Sequence, residues 1–438
     1  MHPETWISET LTTVPRAIDL GLRIGLLPPG PLDAITDVPG VLVGHTTLIA
    51  GDGPMDVGHG PVRTGVTIVM PHEDDPWTEP VFAGCHRLNG NGELTGLEWV
   101  RESGMLGGVI GITNTHSVGV VRDALVAQAA RANAGRGVFW SLPVVGETYD
   151  GALNDINGFH VRAEHVDAAL ASAASGPVAE GNVGGGTGMI LHEFKGGIGT
   201  ASRRVADEHG GWTVGALVQG NYGSRELLRV DGVPVGQEIP KTDVPSPWDH
   251  EEALYAVGGG GRVTADGTPT SSGPSSAPAS SSASSASASS SASSSAGGQV
   301  GRVGPNGGSI IVILATDAPL LPGQCERLAQ RAGLGIARMG GIASNGSGDI
   351  FLAFATGNRG LGITGTAADA RVTVPLRGVV DAALSPLFQA AVEATEAAIV
   401  NALLAAETMT GRDGITAQAL DHDRLLSIMA RYGRGPRA

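Results

Sequence analysis

The chain has 438 residues, 41% hydrophobic, 16% charged and only 4% aromatic, so it is long enough for a large buried core and longer than one typical domain. Its 68 glycines follow no Gly-X-Y period, which excludes collagen and points to tight turns, close backbone packing and loops that turn N–H groups toward a ligand. A formal net charge of −15, with lysine only at 195 and 241, excludes the basic stripe that a nucleic-acid backbone requires.

In chain order, the first thirty residues lack a basic segment followed by a clean apolar run, because Arg16 and Arg23 interrupt it. No signal peptide and no membrane span is expected, and a cytoplasmic location is the default. Short apolar, β-branched runs bounded by Gly, Pro or Asn predict strands at 66–70, 108–113, 212–219, 310–316 and 349–356. Between them, helices are predicted over 118–131, 160–175, 322–338 and 386–408, with Gly411 as a stop signal after the last. The alternation predicts a mixed α/β protein with sheets covered by helices, and its connectivity is not readable from these cues. Cys85 and Cys325 are far apart and lack spaced partners, so buried thiols are expected and no cysteine-based zinc site. His45, His86, His116, His160 and His192 are scattered, with no paired spacing on one helix, and no metal or cofactor is expected.

From Asp266 to Gly298 the composition collapses to Ser and Ala with scattered Pro and Gly. Such a segment has almost nothing to bury and cannot offset the entropy of ordering, so a disordered insert is predicted. An insert directly ahead of a strong strand is either an interdomain linker or the loose end of a fragment left when the chain is cut. Composition does not separate the two.

The strand after it opens at Gly308–Ser309 in PNGGSIIVI. Gly308 has no Cβ, so it can hold a strained backbone and let a hydroxyl reach its carbonyl. Attack by Ser309 would give an ester through an N→O acyl shift, and water would release a serine with a free α-amine. That amine, with an ordinary pKa of about 7.7–8.0, can act as base beside its own hydroxyl. Alone, a Gly-Gly-Ser before a strand is usually just a turn. Downstream, Ser347 and Asp349 in SNGSGDIFLAFAT are alternate residues, which alternation would place on one face. Upstream, LVQGNYG delivers Asn221 at a strand end as a candidate oxyanion donor. In the loop reading of VVGETYDGALNDING, Glu147 is a carboxylate suited to a substrate ammonium, with Tyr149, Asn154 and Asp155 nearby.

Together with DVPGVLVGHTT, NGNGELTGLEWV, GITNTHSVGVVRDAL, EGNVGGGTGM and NALLAAETMTGRDG, these segments resemble the self-processing serine aminopeptidases, which include L-aminopeptidase/D-esterases and β-peptidyl aminopeptidases. The blocks run through nearly the whole chain except the Ser/Ala insert. The resemblance implies a four-layer α/β/β/α sandwich, similar to N-terminal-nucleophile hydrolases but differently connected. It implies one catalytic domain cut into 1–308 and 309–438, and a homo-oligomer of such fragment pairs. It implies Ser309 as nucleophile, supported by Ser347 and Asp349, with Asn221 at the oxyanion, Tyr149 near the scissile carbonyl and Glu147 on the substrate's amino group. The carboxylate is Glu in some relatives, so Asp349 has a shorter reach. Small peptides, amino-acid amides or esters are the implied substrates.

Other readings of the same residues are an ornithine-acetyltransferase-like acyltransferase, against which a serine in place of threonine argues, and an uncleaved Gly-rich binding protein. The run GNVGGGTGM lacks the Lys-Ser/Thr of a phosphate loop and is read as packing, letting backbone pass close to the site. No G-x-S-x-G elbow accompanies a conventional Ser-His-Asp triad.

Overall fold

The computed structural model describes residues 15–135, 139–250, 308–362 and 372–436. The Ser/Ala-rich insert lies outside the described residues.

Among the described residues, ten strands form two sheets. The first contains β1 (Leu42–Ala50), β2 (Val62–Met70), β5 (Ile110–Asn114) and β6 (Val144–Thr148), in the order β1-β2-β5-β6. The second contains β3 (Val81–Arg87), β4 (Met105–Leu106), β9 (Gly197–Arg204), β10 (Thr213–Asn221), β11 (Ser309–Thr316) and β12 (Gly348–Ala355), in the order β4-β3-β12-β11-β10-β9. Two short ribbons pair β7 (Ile190–Leu191) with β8 (Phe194–Lys195), and β13 (Met409–Thr410) with β14 (Thr416–Ala417). The longer helices are α1 (Leu97–Ser103), α2 (Val118–Ala132), α3 (Ala163–Ala171), α4 (Pro322–Arg338), α5 (Leu384–Leu404) and α6 (His422–Arg431).

Three apolar clusters define four layers. Val66, Ile68 and Val145 of the first sheet pack on Val121 and Leu125 of α2 and Val166 of α3. Opposite faces of the two sheets meet through Val69, Ile110 and Ile112 on one side and Leu217, Ile311, Ile313 and Leu352 on the other. The far face of the second sheet, with Val218, Ile310, Val312 and Phe351, packs on Leu328 and Ile336 of α4 and Leu387 and Val400 of α5. The order is helix, sheet, sheet, helix. This explains why SIIVILAT of β11 is apolar at every position after its serine until Thr316, because both its faces are covered and no alternation is needed. α5 is buried at every position from Ala390 to Leu404, with Glu393, Thr395, Glu396 and Asn401 as polar residues among its apolar ones. The segment Asp381–Leu404 is long and apolar enough to cross a membrane, yet 89% of its most apolar window is buried in the fold.

The predicted strands all occur, and the helix over 322–338 has the predicted bounds. Two helices are shorter than predicted. α5 stops at Leu404 rather than 408 because Asn182 captures the chain beyond it, donating from Nδ2 to the Glu407 carbonyl at 2.8 Å and accepting from the Glu407 N–H at 3.3 Å. α3 spans Ala163–Ala171 rather than 160–175. Phe159 ahead of it is left-handed at φ 51, His160 is held by Asp155 at 2.9 Å, and Ala174 behind it exchanges two hydrogen bonds with Val43. Strands β1, β3, β4, β6 and β9 were not predicted, nor were the two short ribbons. The glycine run at 184–186 is a buried 3-10 turn wedged against both sheets, in keeping with a packing role.

Candidate active site

The sheet order brings three chain segments to one point. β11 lies between β10, antiparallel, and β12, parallel, so that Ser309 pairs with Asn221 on one side and with Gly348 on the other. All three are terminal residues of their strands, at the same edge of the second sheet. Alternation sends Ile311 and Ile313 of β11, and Leu217 of β10, into the space between the sheets. Ser309 and Asn221 share that parity, so their side chains lie on the inter-sheet face as cross-strand neighbours.

Gly348 donates its backbone N–H to the Gly308 carbonyl at 3.2 Å and to Ser309 Oγ at 3.2 Å. One donor thus touches both the hydroxyl and the carbonyl immediately upstream of it. Gly308 is required by space. A Cβ there would stand 2.3 Å from the Asn221 carbonyl oxygen and 2.9 Å from the Tyr222 Cα, both backbone atoms. The Asn221 amide is fixed at both ends, with Oδ1 accepting from the Ile190 N–H at 2.7 Å and Nδ2 donating to the Tyr149 carbonyl at 2.8 Å. A primary amide has two N–H donors, which leaves one for a further acceptor.

Ser347 and Asp349 share a face, as alternation predicts, and Ser347 Oγ donates to Asp349 Oδ1 at 2.6 Å. Asp349 has the parity of Phe351 and Ala353, which face the helices, so its carboxylate lies on the opposite side of the sheet from the Ser309 hydroxyl. It approaches the backbone of β11 instead and accepts from the Ile310 N–H. Burial pushes its pKa up to about 6, against the hydrogen bonds from Ser347, the Ile310 N–H and Asn89. A small cavity of about 10 Å³ beside it is lined by Gly308, Tyr222, Gly340, Ser344, Ser347 and Asp349. The Tyr222 hydroxyl is buried there with no hydrogen-bond partner among the described residues.

Glu147 is a strand residue of β6 rather than part of a loop, and it is 4% exposed. Its Oε1 accepts from the Glu93 N–H at 3.0 Å and its Oε2 from the Thr115 hydroxyl at 2.5 Å. Burial pushes its carboxyl up, opposed by those two hydrogen bonds. It reaches the edge of the second sheet because residue 92 is glycine. A Cβ at Gly92 would stand 3.0 Å from the Gly348 Cα and 3.1 Å from Glu147 Oε1, so the 89–93 loop is the layer between them. Tyr149 is half-buried, and its ring folds over Gly151.

Sequence reasoning named the NGNGE segment without assigning it a task, and it proves to be the clamp on the 344–349 loop. Asn89 donates from Nδ2 to the Ser344 carbonyl and accepts from the Asp349 N–H, each at 2.9 Å. Asn91 donates from Nδ2 to the Gly346 carbonyl at 2.7 Å. Thr115 and Tyr222 were also missed. A wider cleft, about 580 Å³, is lined by His116, Ser117, Val120, Phe159, Val161 and Arg162, next in the chain to Thr115. Asn154 and Asp155 lie away from Ser309, Asn154 holding the Arg63 N–H and Asp155 pairing with His160. Cys85 and Cys325 are free and buried. Among the described residues no group of three or more His, Cys, Asp or Glu is placed to hold a metal ion.

The model of peptidase family S58 matches residues 33–417. A beta-peptidyl aminopeptidase of Sphingosinicella microcystinivorans is 46% identical over 420 residues, covering 96% of this chain and 93% of that protein. Its counterpart in Sphingosinicella xenopeptidilytica is 40% identical over 422 residues, covering 96% and 92%. Among solved structures, a beta-aminopeptidase of Burkholderia sp. superposes with a TM-score of 0.78 at 49% identity, covering 95% of this chain and 99% of that one. The L-aminopeptidase D-Ala-esterase/amidase of Ochrobactrum anthropi, a prototype serine aminopeptidase with a variant of the Ntn-hydrolase fold, superposes with a TM-score of 0.77 at 41% identity, covering 96% and 99%.

Proposed function

The chain belongs to peptidase family S58 and is a serine aminopeptidase of the N-terminal-nucleophile type, and we propose that Ser309 is its nucleophile, freed by cleavage of the Gly308–Ser309 bond. The observation that carries this assignment is the single Gly348 N–H in contact with both Ser309 Oγ and the Gly308 carbonyl. In the intact chain Ser309 Oγ attacks the Gly308 carbonyl carbon. A C–O bond forms, the C–N bond breaks, and the nitrogen leaves as the Ser309 amine. Water then hydrolyses the ester, leaving a Gly308 carboxylate and a serine with a free amine.

The same atoms serve turnover. The substrate's ammonium docks on Glu147, and Ser309 Oγ attacks the first carbonyl, with its own amine as base. The spare Asn221 N–H and the Gly348 N–H receive the oxyanion, one such donor being worth roughly 10²–10³ in rate. Ser347 and Asp349 orient the new N-terminus from the helix side of the sheet, and Tyr149 closes the inter-sheet side. The leaving amine or alcohol departs, and water releases the amino acid from the aminoacyl-serine. Peptides, amides and esters with a free amino terminus all fit this path, and the near full-length likeness to beta-peptidyl aminopeptidases supports β-aminoacyl groups among them. A homo-oligomer of cleaved pairs and a cytoplasmic location belong to the same proposal; free buried thiols favour a reducing compartment.

Intact-mass measurement with N-terminal sequencing tests it. Two fragments, the smaller beginning Ser-Ile-Ile-Val, are expected, together with an uncut Ser309→Ala variant. A Ser309→Ala chain cut at the same bond would remove Ser309 from the mechanism.

A further inference from the structure

The Asn221 amide is held from behind by a feature that the mechanism leaves unused. The β7–β8 hairpin turns through His192 and Glu193, both left-handed at φ 49 and 63. It docks on the end of β10 through backbone and side chain together. Ile190 N–H donates to Asn221 Oδ1 at 2.7 Å, His192 N–H donates to the Tyr222 carbonyl at 2.7 Å, and the His192 ring meets the Tyr222 ring edge-on at 5.0 Å. The base of this hairpin is Lys195, which is fully buried. Its ammonium donates to the Gly196 carbonyl at 2.7 Å, the Met189 carbonyl at 2.9 Å and the Gly186 carbonyl at 3.4 Å. Its three donors meet three backbone acceptors, and no carboxylate pairs with it among the described residues.

Desolvation of a buried ammonium is costly and pushes the Lys195 pKa down to about 7, and only the three carbonyl dipoles hold its protonated, three-donor form. Methionine would fill the same space without that cost. What the charge does that methionine cannot is to draw three carbonyls of the 186–196 segment onto one point. The tip of that segment is clasped by Arg225, which donates to the His192 and Glu193 carbonyls, and by Lys241 on Glu193. Its base, at Met189 and Gly196, is held by one backbone hydrogen bond between those two residues and by the Lys195 ammonium. Met189 and Gly196 flank the hairpin, so gathering their carbonyls closes it and fixes the direction of the Ile190 N–H.

We propose that Lys195 is a positioning residue for the oxyanion donor: by closing the 186–196 segment it holds the Ile190 N–H on Asn221 Oδ1 and so aims the Asn221 Nδ2 group at the reacting carbonyl. The proposal rests on Asn221 as oxyanion donor. Lys195 touches no reacting atom and acts through Ile190 and Asn221.

The test is a double-mutant cycle on cleaved enzyme, with active sites counted by the acylation burst of an aminoacyl ester. Lys195→Met is expected to lower kcat about 10-fold, the scale of a sub-ångström misplacement, with KM within about twofold of the parent. In an Asn221→Ala background the same change should lower kcat less than about twofold, because the donor it aims is gone. A full 10-fold further loss there, or an unchanged kcat for Lys195→Met alone, overturns the proposal. An Asn221→Ala variant with undiminished kcat would sink the donor assignment itself, and the proposal with it. Should Lys195→Met fail to fold, hydrogen exchange on the unaltered enzyme decides. The Ile190 amide is expected to exchange only on global unfolding, and fast local exchange there refutes a rigid hairpin.

Discussion

The Gly308→Ala substitution tests the cleavage geometry most directly. A Cβ at 308 would lie 2.3 Å from the Asn221 carbonyl oxygen and 2.9 Å from the Tyr222 Cα. Neither neighbour is a side chain that can swing away; one is the last residue of β10 and the other follows it directly. Relief requires about 0.7 Å or more of separation between the starts of β11 and β10, since Cβ contacts below 3.0 Å essentially do not occur. That displacement falls on the pair Asn221–Ser309 and on the two 3.2 Å contacts from the Gly348 N–H. A misplacement near 1 Å costs roughly 10²-fold in a positioned reaction. Self-cleavage should therefore slow by about two orders of magnitude, read as the half-life of the intact chain by mass spectrometry after rapid purification. Ser309→Ala is the control, blocked without a new atom at 308. Processing of Gly308→Ala within about twofold of the parent would mean that the junction does not need the close approach, and the account of Gly308 would be wrong.

Glu147→Gln should raise KM for aminoacyl p-nitroanilides about 10–100-fold, the worth of one charge-assisted hydrogen bond, and should slow self-cleavage far less, because the Gly308–Ser309 junction carries no free amine; equal losses in both assays would place Glu147 in the chemistry rather than in amine binding. Asp349, raised by burial to about 6, favours the neutral carboxyl in the fold, so its contribution is fully present below its unfolded pKa near 4 and is lost as pH rises through 6. Asp349→Asn in a Ser309→Ala background should then stabilise the chain by about 2–3 kcal/mol at pH 8 and by little at pH 4, in denaturant melts at the two pH values; the same gain at both would refute the buried-charge reading. Cleavage should not separate the fragments under native conditions. β11 and β12 from the smaller one lie between β10 and β3 of the larger, and a native-size species that splits only in denaturant is expected in gel filtration.

Strands with both faces covered announced themselves as unbroken apolar runs, and β11 and β12 were legible for that reason. β1 and β9 were not, since GHTT in one and GTASRR in the other mix polar with small residues and match neither period cleanly. β6 was hidden because Glu147 ends an apolar run, which reads as the start of a loop. Its strand continues because the buried carboxylate is satisfied by Thr115 and the Glu93 N–H, contacts 32 and 54 residues away that local pattern does not carry. Helix ends failed in the same way, where Asn182 and Val43 overrode local propensity.

The site divides along the same line. Ser309, Asn221, Ser347 and Asp349 were legible because each sits at a strand end, where the change from apolar run to polar residue is itself the signal. Which of them meet was a matter of sheet order, and only the placement of β11 between β10 and β12 sets Asn221, Ser309 and Gly348 in one row. Face was the harder quantity. The parity that joins Ser347 to Asp349 was read correctly, yet the same parity places that carboxylate across the sheet from the Ser309 hydroxyl. From there Asp349 accepts from the Ile310 N–H, one residue beyond Ser309. On the proposed mechanism, the alternation of β11 would then turn the Ser309 hydroxyl toward substrate while the acid bears on the start of the strand from the other face. That division would be of use to a serine that becomes an N-terminus and of none to one internal to a chain, which is why the uncut Ser309→Ala chain is the first comparison to make.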